Sequence, residues 1–288
     1  MGRRPNAPTE GPAVWHPTGR PPAVERRPAR AYLACMNPSA ASAHLRLSAR
    51  QRVLELLRPW LLLLGYAAAA LAGLWWLAVP LAVAVCLAAF VQMHDAMHHA
   101  LGLPKPANAR VLTLSGLLLL KSGHGMQVTH LRHHARCLHP DDPEGAPATW
   151  RFGRVLWQGP YHILMLRRES LRLAPHTRRI QLLETALTLA LLAGFALLYF
   201  GLGSAVGLVY WAVAFGMSAT LPIWAAYIPH HLAARHPAVR TASAVAQLWT
   251  PVVSSFAFHH LHHHYPRVPT ALLPRAAAEL PPPPADAH

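Results

Sequence analysis

Residues 60–93 read WLLLLGYAAAALAGLWWLAVPLAVAVCLAAFVQM, without a single Asp, Glu, Lys or Arg. An uncharged apolar run of this length is the mark of a membrane-spanning segment. As one helix it would be roughly 50 Å long at 1.5 Å per residue, against a hydrocarbon core of about 30 Å. It therefore predicts a hairpin of two spans. The turn is expected around Trp75 to Pro80, where two Trp residues suit the interface and Pro80 can restart a helix. Residues 180–228 repeat the pattern with Glu184 as their only charge, and read as spans Ile180 to Phe200 and Ala205 to Ile228 joined by Gly201, Leu202, Gly203 and Ser204. The expectation is an all-α integral membrane protein with four transmembrane helices in two hairpins.

The charges bear on the topology independently. All 26 Lys and Arg lie before Trp60, between Met93 and Ile180, or after Ile228. By the positive-inside rule those three segments are predicted to be cytoplasmic, with both hairpin turns on the other face. The net charge of +15 is then the cytoplasmic flank of a membrane protein, attracted to anionic headgroups. A nucleic-acid partner is not expected, because no recognition module accompanies the charge. The three cysteines, Cys35, Cys86 and Cys137, form neither a disulfide framework nor a metal motif.

Residues 1–47 are rich in Pro and Arg without helical or strand period and are expected to be disordered, as is a Pro-rich tail over 276–288, leaving a membrane domain over 48–275. No apolar h-region with a cleavage site precedes Trp60. Met36 is an alternative start, which an intact-mass measurement would reveal. Ser48 to Arg58 alternates apolar and charged residues as a surface helix would. Val111 to Leu120 is apolar but too short to span, so it is read as re-entrant or interfacial. Trp150 to Arg179 is basic and aromatic and suits a membrane-surface layer.

Three histidine clusters follow apolar stretches: His94, His98 and His99; His130, His133 and His134; His259, His262 and His263. Histidines three or four positions apart share a helix face, so each cluster can aim imidazoles at one point. An even number of spans between them places all three on one membrane face, as a cytoplasmic helical cap. His16, His44, His162, His176, His236 and His288 stand alone and read as surface or hydrogen-bonded residues, and His260 and His264 fall between ligand positions. The acidic loop Asp141, Asp142, Pro143 and Glu144 is either a partner for ring N–H groups of metal-bound histidines or a solvated turn. Asp95 either orients an imidazole or faces solvent.

The order and spacing of the three boxes over Trp60 to Pro274 resemble the membrane fatty acid desaturase and hydroxylase superfamily, with one His-x(3,4)-His and two His-x-x-His-His boxes. Tyr265 and Pro266 after the third box are similar to the family's closing x-Phe-Pro. Pro229 and His230 are similar to a place where members supply an extra histidine. The resemblance implies a centre of two iron ions held by His94, His98, His130, His133, His134, His259, His262 and His263, with His99 and His230 as further candidates. Imidazole also suits zinc, copper and nickel, but taking hydrogen from an unactivated alkyl carbon needs a redox metal and O2, and this many imidazoles suffice for two ions.

The expected activity is desaturation of a fatty acyl chain, with carotenoid hydroxylation or ketolation as the alternative. Outside enzymes, the alternative is a non-catalytic metal-binding membrane protein. Electrons are expected from a separate ferredoxin or cytochrome with its reductase, docking on the basic face around Arg132, Arg136, Arg151 and Arg154. The expected location is a bacterial inner membrane.

Overall fold

The computed structural model describes residues 44–231 and 257–281. The leader before His44, the lone His16, His236 and His288, and the end of the tail lie outside the described residues. Among the described residues every regular element is helical. We number the helices α1 (Ala49–Leu71), α2 (Trp75–Met97), α3 (Lys105–Leu118), α4 (Gly123–Arg136), α5 (Phe152–Leu173), α6 (Arg178–Leu202), α7 (Val206–Ala219), α8 (Ile228–His231), α9 (His259–His264) and α10 (Leu273–Glu279). Four segments are long and apolar enough to cross a membrane: Ala49–Leu71, Trp75–Met97, Pro175–Leu202 and Val206–His231.

Helix α1 opens on a capping box, with Ser48 Oγ accepting from Gln51 N at 3.3 Å and Gln51 Oε1 from Ser48 N at 2.9 Å. The stretch Ser48 to Arg58, expected as a separate surface helix, is instead the first turns of this span. Glu55 and Arg58 make this possible by pairing on one face at 2.7 and 2.8 Å, which neutralises both charges as the helix enters apolar surroundings. The first hairpin turns at Ala72 to Leu74, with Gly73 at φ 74°, and not at Trp75 to Pro80. Trp75 and Trp76 open α2 and Pro80 lies inside it. The glycine supplies the left-handed backbone of the turn, so the proline is not needed to start a helix.

Buried polar side chains tie the helices together. Gln92 of α2 donates to the carbonyls of Glu55 and Leu56 at 2.9 and 3.0 Å and accepts from Ser115 of α3 at 2.7 Å. Asn108 donates to the Ala96 carbonyl at 2.8 Å. Glu184 of α6, fully buried, accepts from Thr113 at 2.7 Å, Ser122 at 2.5 Å and His124 Nδ1 at 2.7 Å, which explains the one charge inside the third span. Tyr210 of α7 donates to the Leu118 carbonyl at 2.7 Å.

The segment around Val111 to Leu120 is helix α3, about 21 Å long by its 14 residues and short of a span, as expected. It packs tightly against α4: a Cβ added at Gly123 would sit 2.0 Å from the Leu112 carbonyl oxygen, so only glycine fits there. Helix α5 exposes Leu156, Trp157, Tyr161 and Leu164 along its surface, the aromatic layer expected of Trp150 to Arg179. The fourth span is not one α-helix. It passes through a π-helical turn at Pro222–Tyr227 before resuming at Ile228.

Two boundaries of the expected domain differ. Leu45 and Leu47, placed in the disordered leader, are buried in the core. At the other end α10 runs through Glu279, with Ala276 buried, across the limit drawn at 275. Asp95 is buried and holds this C-terminal segment: it accepts from Thr270 N at 3.1 Å and Thr270 Oγ1 at 2.5 Å, while His94 Nδ1 stays 3.8 Å away.

Candidate metal centre

The inner ends of α2 and α4, the exit of the fourth span and α9 converge. His94 lies in the last turn of α2 and His98 caps it. His130, His133 and His134 lie on α4, and His259, His262 and His263 on α9. The π-helical turn precedes His230, and such turns often occur at functional sites because the extra residue re-aims the side chains that follow.

The histidines sort into two adjoining groups. In the first, one ligand atom each from His94, His98, His130, His134 and His262 lie within 4.8 Å of one another. In the second the same holds for His133, His230, His263 and Cys137. His259 joins the second group, its Nε2 lying 3.1 Å from the Nε2 atoms of both His230 and His263. The groups meet where the rings of His134 and His263 stack at 4.3 Å. Facing Nε2 atoms stand 2.9 Å apart for His98 and His130, 3.0 Å for His134 and His262, and 3.3 Å for His133 and His230. Imidazole nitrogens about 2.1 Å from one metal stand about 3.0 to 3.4 Å apart at octahedral or tetrahedral angles, so the spacing fits a metal between them.

The outer nitrogens strengthen that fit. His130 Nδ1 is 2.6 Å from Glu144 Oε1, and His133 Nδ1 is 2.7 Å from Asp142 Oδ2. A carboxylate accepting a hydrogen bond from Nδ1–H leaves the Nε2 lone pair directed at the cluster, the usual support of a metal-bound imidazole. The acidic loop is thus a partner to the histidines and not merely a solvated turn. Asp142 also accepts from the backbone of Leu138, Glu144 and Gly145 at 3.0 to 3.1 Å. Gly145 is required for this wrap, since a Cβ there would lie 2.2 Å from Asp142 Oδ2 and 3.0 Å from His133 Nδ1. His94 Nδ1 and His98 Nδ1 are buried without a hydrogen-bond partner among the described residues, as expected of rings held by something other than the protein's own hydrogen bonds.

Burial, then the charge of neighbouring imidazoles, holds His98, His130, His134, His259, His262 and His263 well below the ordinary imidazole pKa. A shift in that direction favours the neutral imidazole, the form that binds a metal. His133 goes the other way: burial lowers it, but the hydrogen bond and charge of Asp142, with Glu144 beyond, raise it on balance. Burial pushes the Glu144 carboxyl up to about 7. Asp142 is held below the ordinary carboxylate value, because its hydrogen bonds outweigh burial.

A family model described as fatty acid desaturase matches residues 74–287, most of the chain and all three histidine clusters. The chain belongs to the fatty acid desaturase family. No curated protein and no solved structure matched it. Membership, the four apolar helices and the paired histidine groups make this chain a desaturase-like membrane oxidoreductase whose histidines are suited to iron.

Several residues of this desaturase-family chain lie elsewhere than their sequence context indicates. His99, adjacent to His98, takes a left-handed backbone with φ 56°, is exposed, and belongs to neither group. Cys137, without a motif in the sequence, comes to the second group because it caps α4 one turn after His133. Burial, with the Asp142 charge, pushes its thiol up to about 12. His162 is no surface residue: it is buried, edge-on to Trp150, with Nδ1 unpartnered among the described residues. His124 binds Glu184, a pairing that no spacing rule would reveal. Of the expected docking arginines, Arg132 and Arg136 both pair with Asp141, and Arg154 lies over Trp150.

Proposed function

We propose that this chain introduces a double bond into a fatty acyl chain, using two irons and O2. His94, His98, His130, His134 and His262 would hold one iron, and His133, His230, His259 and His263 the other. The observation that carries the reading is the pair of adjoining histidine groups at the ends of apolar spans, within a desaturase-family chain. Bound iron supplies the redox chemistry with O2 that an unactivated C–H bond requires, which zinc does not. In balance, the two adjacent methylenes and O2 take two protons and two electrons and leave an alkene and two water molecules. Glu144 and Asp142 would hold His130 and His133 in the tautomer and orientation that keep Nε2 toward the metal.

Cys137 is left out of the proposed ligand set, because a thiol with so high a pKa beside a carboxylate is a poor source of thiolate. The electrons would come from a separate ferredoxin or cytochrome with its reductase. The charge distribution supports a cytoplasmic position for the histidines. Lipid analysis of an expressing host with and without the gene tests the reaction. New double bonds in acyl chains are expected. Oxygenated carotenoids in a carotene-producing host would instead move the activity to carotenoid hydroxylation or ketolation, and zinc occupancy without reductant-dependent O2 uptake would end the enzymatic reading.

A further inference from the structure

Asp95 takes part in neither histidine group, yet it is buried and directly follows His94 in the chain. It stands in the last turn of α2, where the helix dipole disfavours a negative charge. Among the described residues its carboxylate accepts hydrogen bonds from Thr270 alone: from N at 3.1 Å to Oδ1 and 3.2 Å to Oδ2, and from Oγ1 at 2.5 Å to Oδ1. Thr270 is buried as well. A carboxylate buried with one neutral partner is a poor source of net stability, so what the contact does is fix where that partner sits.

The partner belongs to the segment that carries the third box. Helix α9 is only six residues long and opens on Phe258 without a side-chain cap, so packing and the chain that follows set its position. That chain is stiff. Tyr265 N donates to the Leu261 carbonyl at 2.8 Å, Val268 N to the Tyr265 carbonyl at 3.0 Å and Leu272 N to the Pro269 carbonyl at 2.8 Å. Pro266 and Pro269 fix two of the intervening backbone angles, and Tyr265, Val268 and Thr270 are all buried. A displacement at Thr270 is therefore passed back to α9 and not absorbed on the way.

The contact closes a ring. Across the first group the centroids of the His94 and His262 rings lie 4.2 Å apart, tilted at 52°. The peptide bond joins His94 to Asp95, the hydrogen bonds join Asp95 to Thr270, and the stiff turn leads back to His262. The imidazole of His94 is not itself the point of attachment: its Nδ1 is 3.8 Å from Asp95 Oδ1 and has no hydrogen-bond partner among the described residues. Adjacent positions on a helix point about 100° apart, so His94 faces the first group while Asp95 faces the segment after α9.

We propose that Asp95 and Thr270 are positioning residues of the metal centre: their contact holds α9, and His262 with it, against His94 so that one metal can take both. This rests on the reading that the histidine groups hold metal, and not on which reaction follows. The test uses the full-length protein in detergent, stripped of metal and reloaded with iron(II) without oxygen or with zinc(II), and reads metal retained against a competing chelator. Outer partners of metal ligands are worth about 10- to 100-fold in affinity, and Thr270→Val keeps the two N–H bonds, so a loss of at least about fivefold is expected. Thr270→Ser, which keeps the hydroxyl, should stay within about twofold of the wild type, and the thermal midpoint of the metal-free Thr270→Val protein should match the wild type within about 2 °C. Wild-type retention by Thr270→Val would overturn the proposal, as would equal losses in the Val and Ser variants or a loss explained by a lower metal-free midpoint. A wild-type chain that binds neither metal would end this reading and the proposed function together. Zinc held through the hydroxyl as described, without reductant-dependent O2 uptake by the iron-loaded protein, would end the enzymatic reading alone.

Discussion

At the residue scale, the site depends on which nitrogen of each imidazole is free. Asp142 and Glu144 settle this for His133 and His130 by taking Nδ1. Asp142→Asn should lower iron affinity about 10- to 100-fold, the usual effect of losing such a partner. Gly145→Ala should act in the same direction, since its Cβ would displace the Asp142 carboxylate. Iron retained per protein after dialysis against a chelator measures both. The division into two groups makes a sharper prediction: His262→Ala and His230→Ala should each lower iron from two ions toward one, whereas His99→Ala and Cys137→Ser should leave it near two. If His99→Ala loses iron as His262→Ala does, the grouping is wrong. The histidine pattern exposed nearly all of these residues in the sequence, because i, i+3 and i+4 spacing is a local property of a helix. Cys137 and His162 were not legible, because their neighbours come from elsewhere in the chain.

At the scale of elements, the spans follow from apolar composition, but their joints do not. The first hairpin turns at Gly73 and not at the Trp75 to Pro80 stretch, since a proline near a helix start is tolerated while a left-handed turn needs glycine. The π-helical turn at Pro222–Tyr227 is invisible to a periodicity argument, which sees only an apolar run. The contact between α3 and α4 is the most constrained joint. Gly123→Ala would put a methyl group 2.0 Å from the Leu112 carbonyl oxygen. It should destabilise the protein by about 1 to 3 kcal/mol, the usual penalty of overpacking, seen as a lower thermal midpoint in detergent with iron loss following unfolding.

At the scale of the whole molecule, the inference that both hairpin turns share one face rests on charge and on the even number of spans. Cysteines introduced at Leu74 and Ser204 should be labelled by an impermeant maleimide from outside the cell. A cysteine introduced at Arg151 should react only after the membrane is opened, each measured against the parent chain's own thiols. Labelling of Leu74→Cys and Ser204→Cys from opposite faces would break the two-hairpin topology and with it the shared site.

By itself, the sequence determined the class of fold, the four spans and the family-like set of histidines, because hydropathy, charge bias and helical spacing are local quantities that survive without coordinates. Only the tertiary structure decided how those histidines divide. Box two sends His130 and His134 to one group and His133 to the other, although all three lie on α4, because adjacent positions on a helix point about 100° apart and meet different neighbours. Tertiary structure also decided that Asp95 anchors Thr270 while Asp142 and Glu144 support imidazoles. The role of a buried charge is set by what packs against it, and in this chain those partners are far away in sequence.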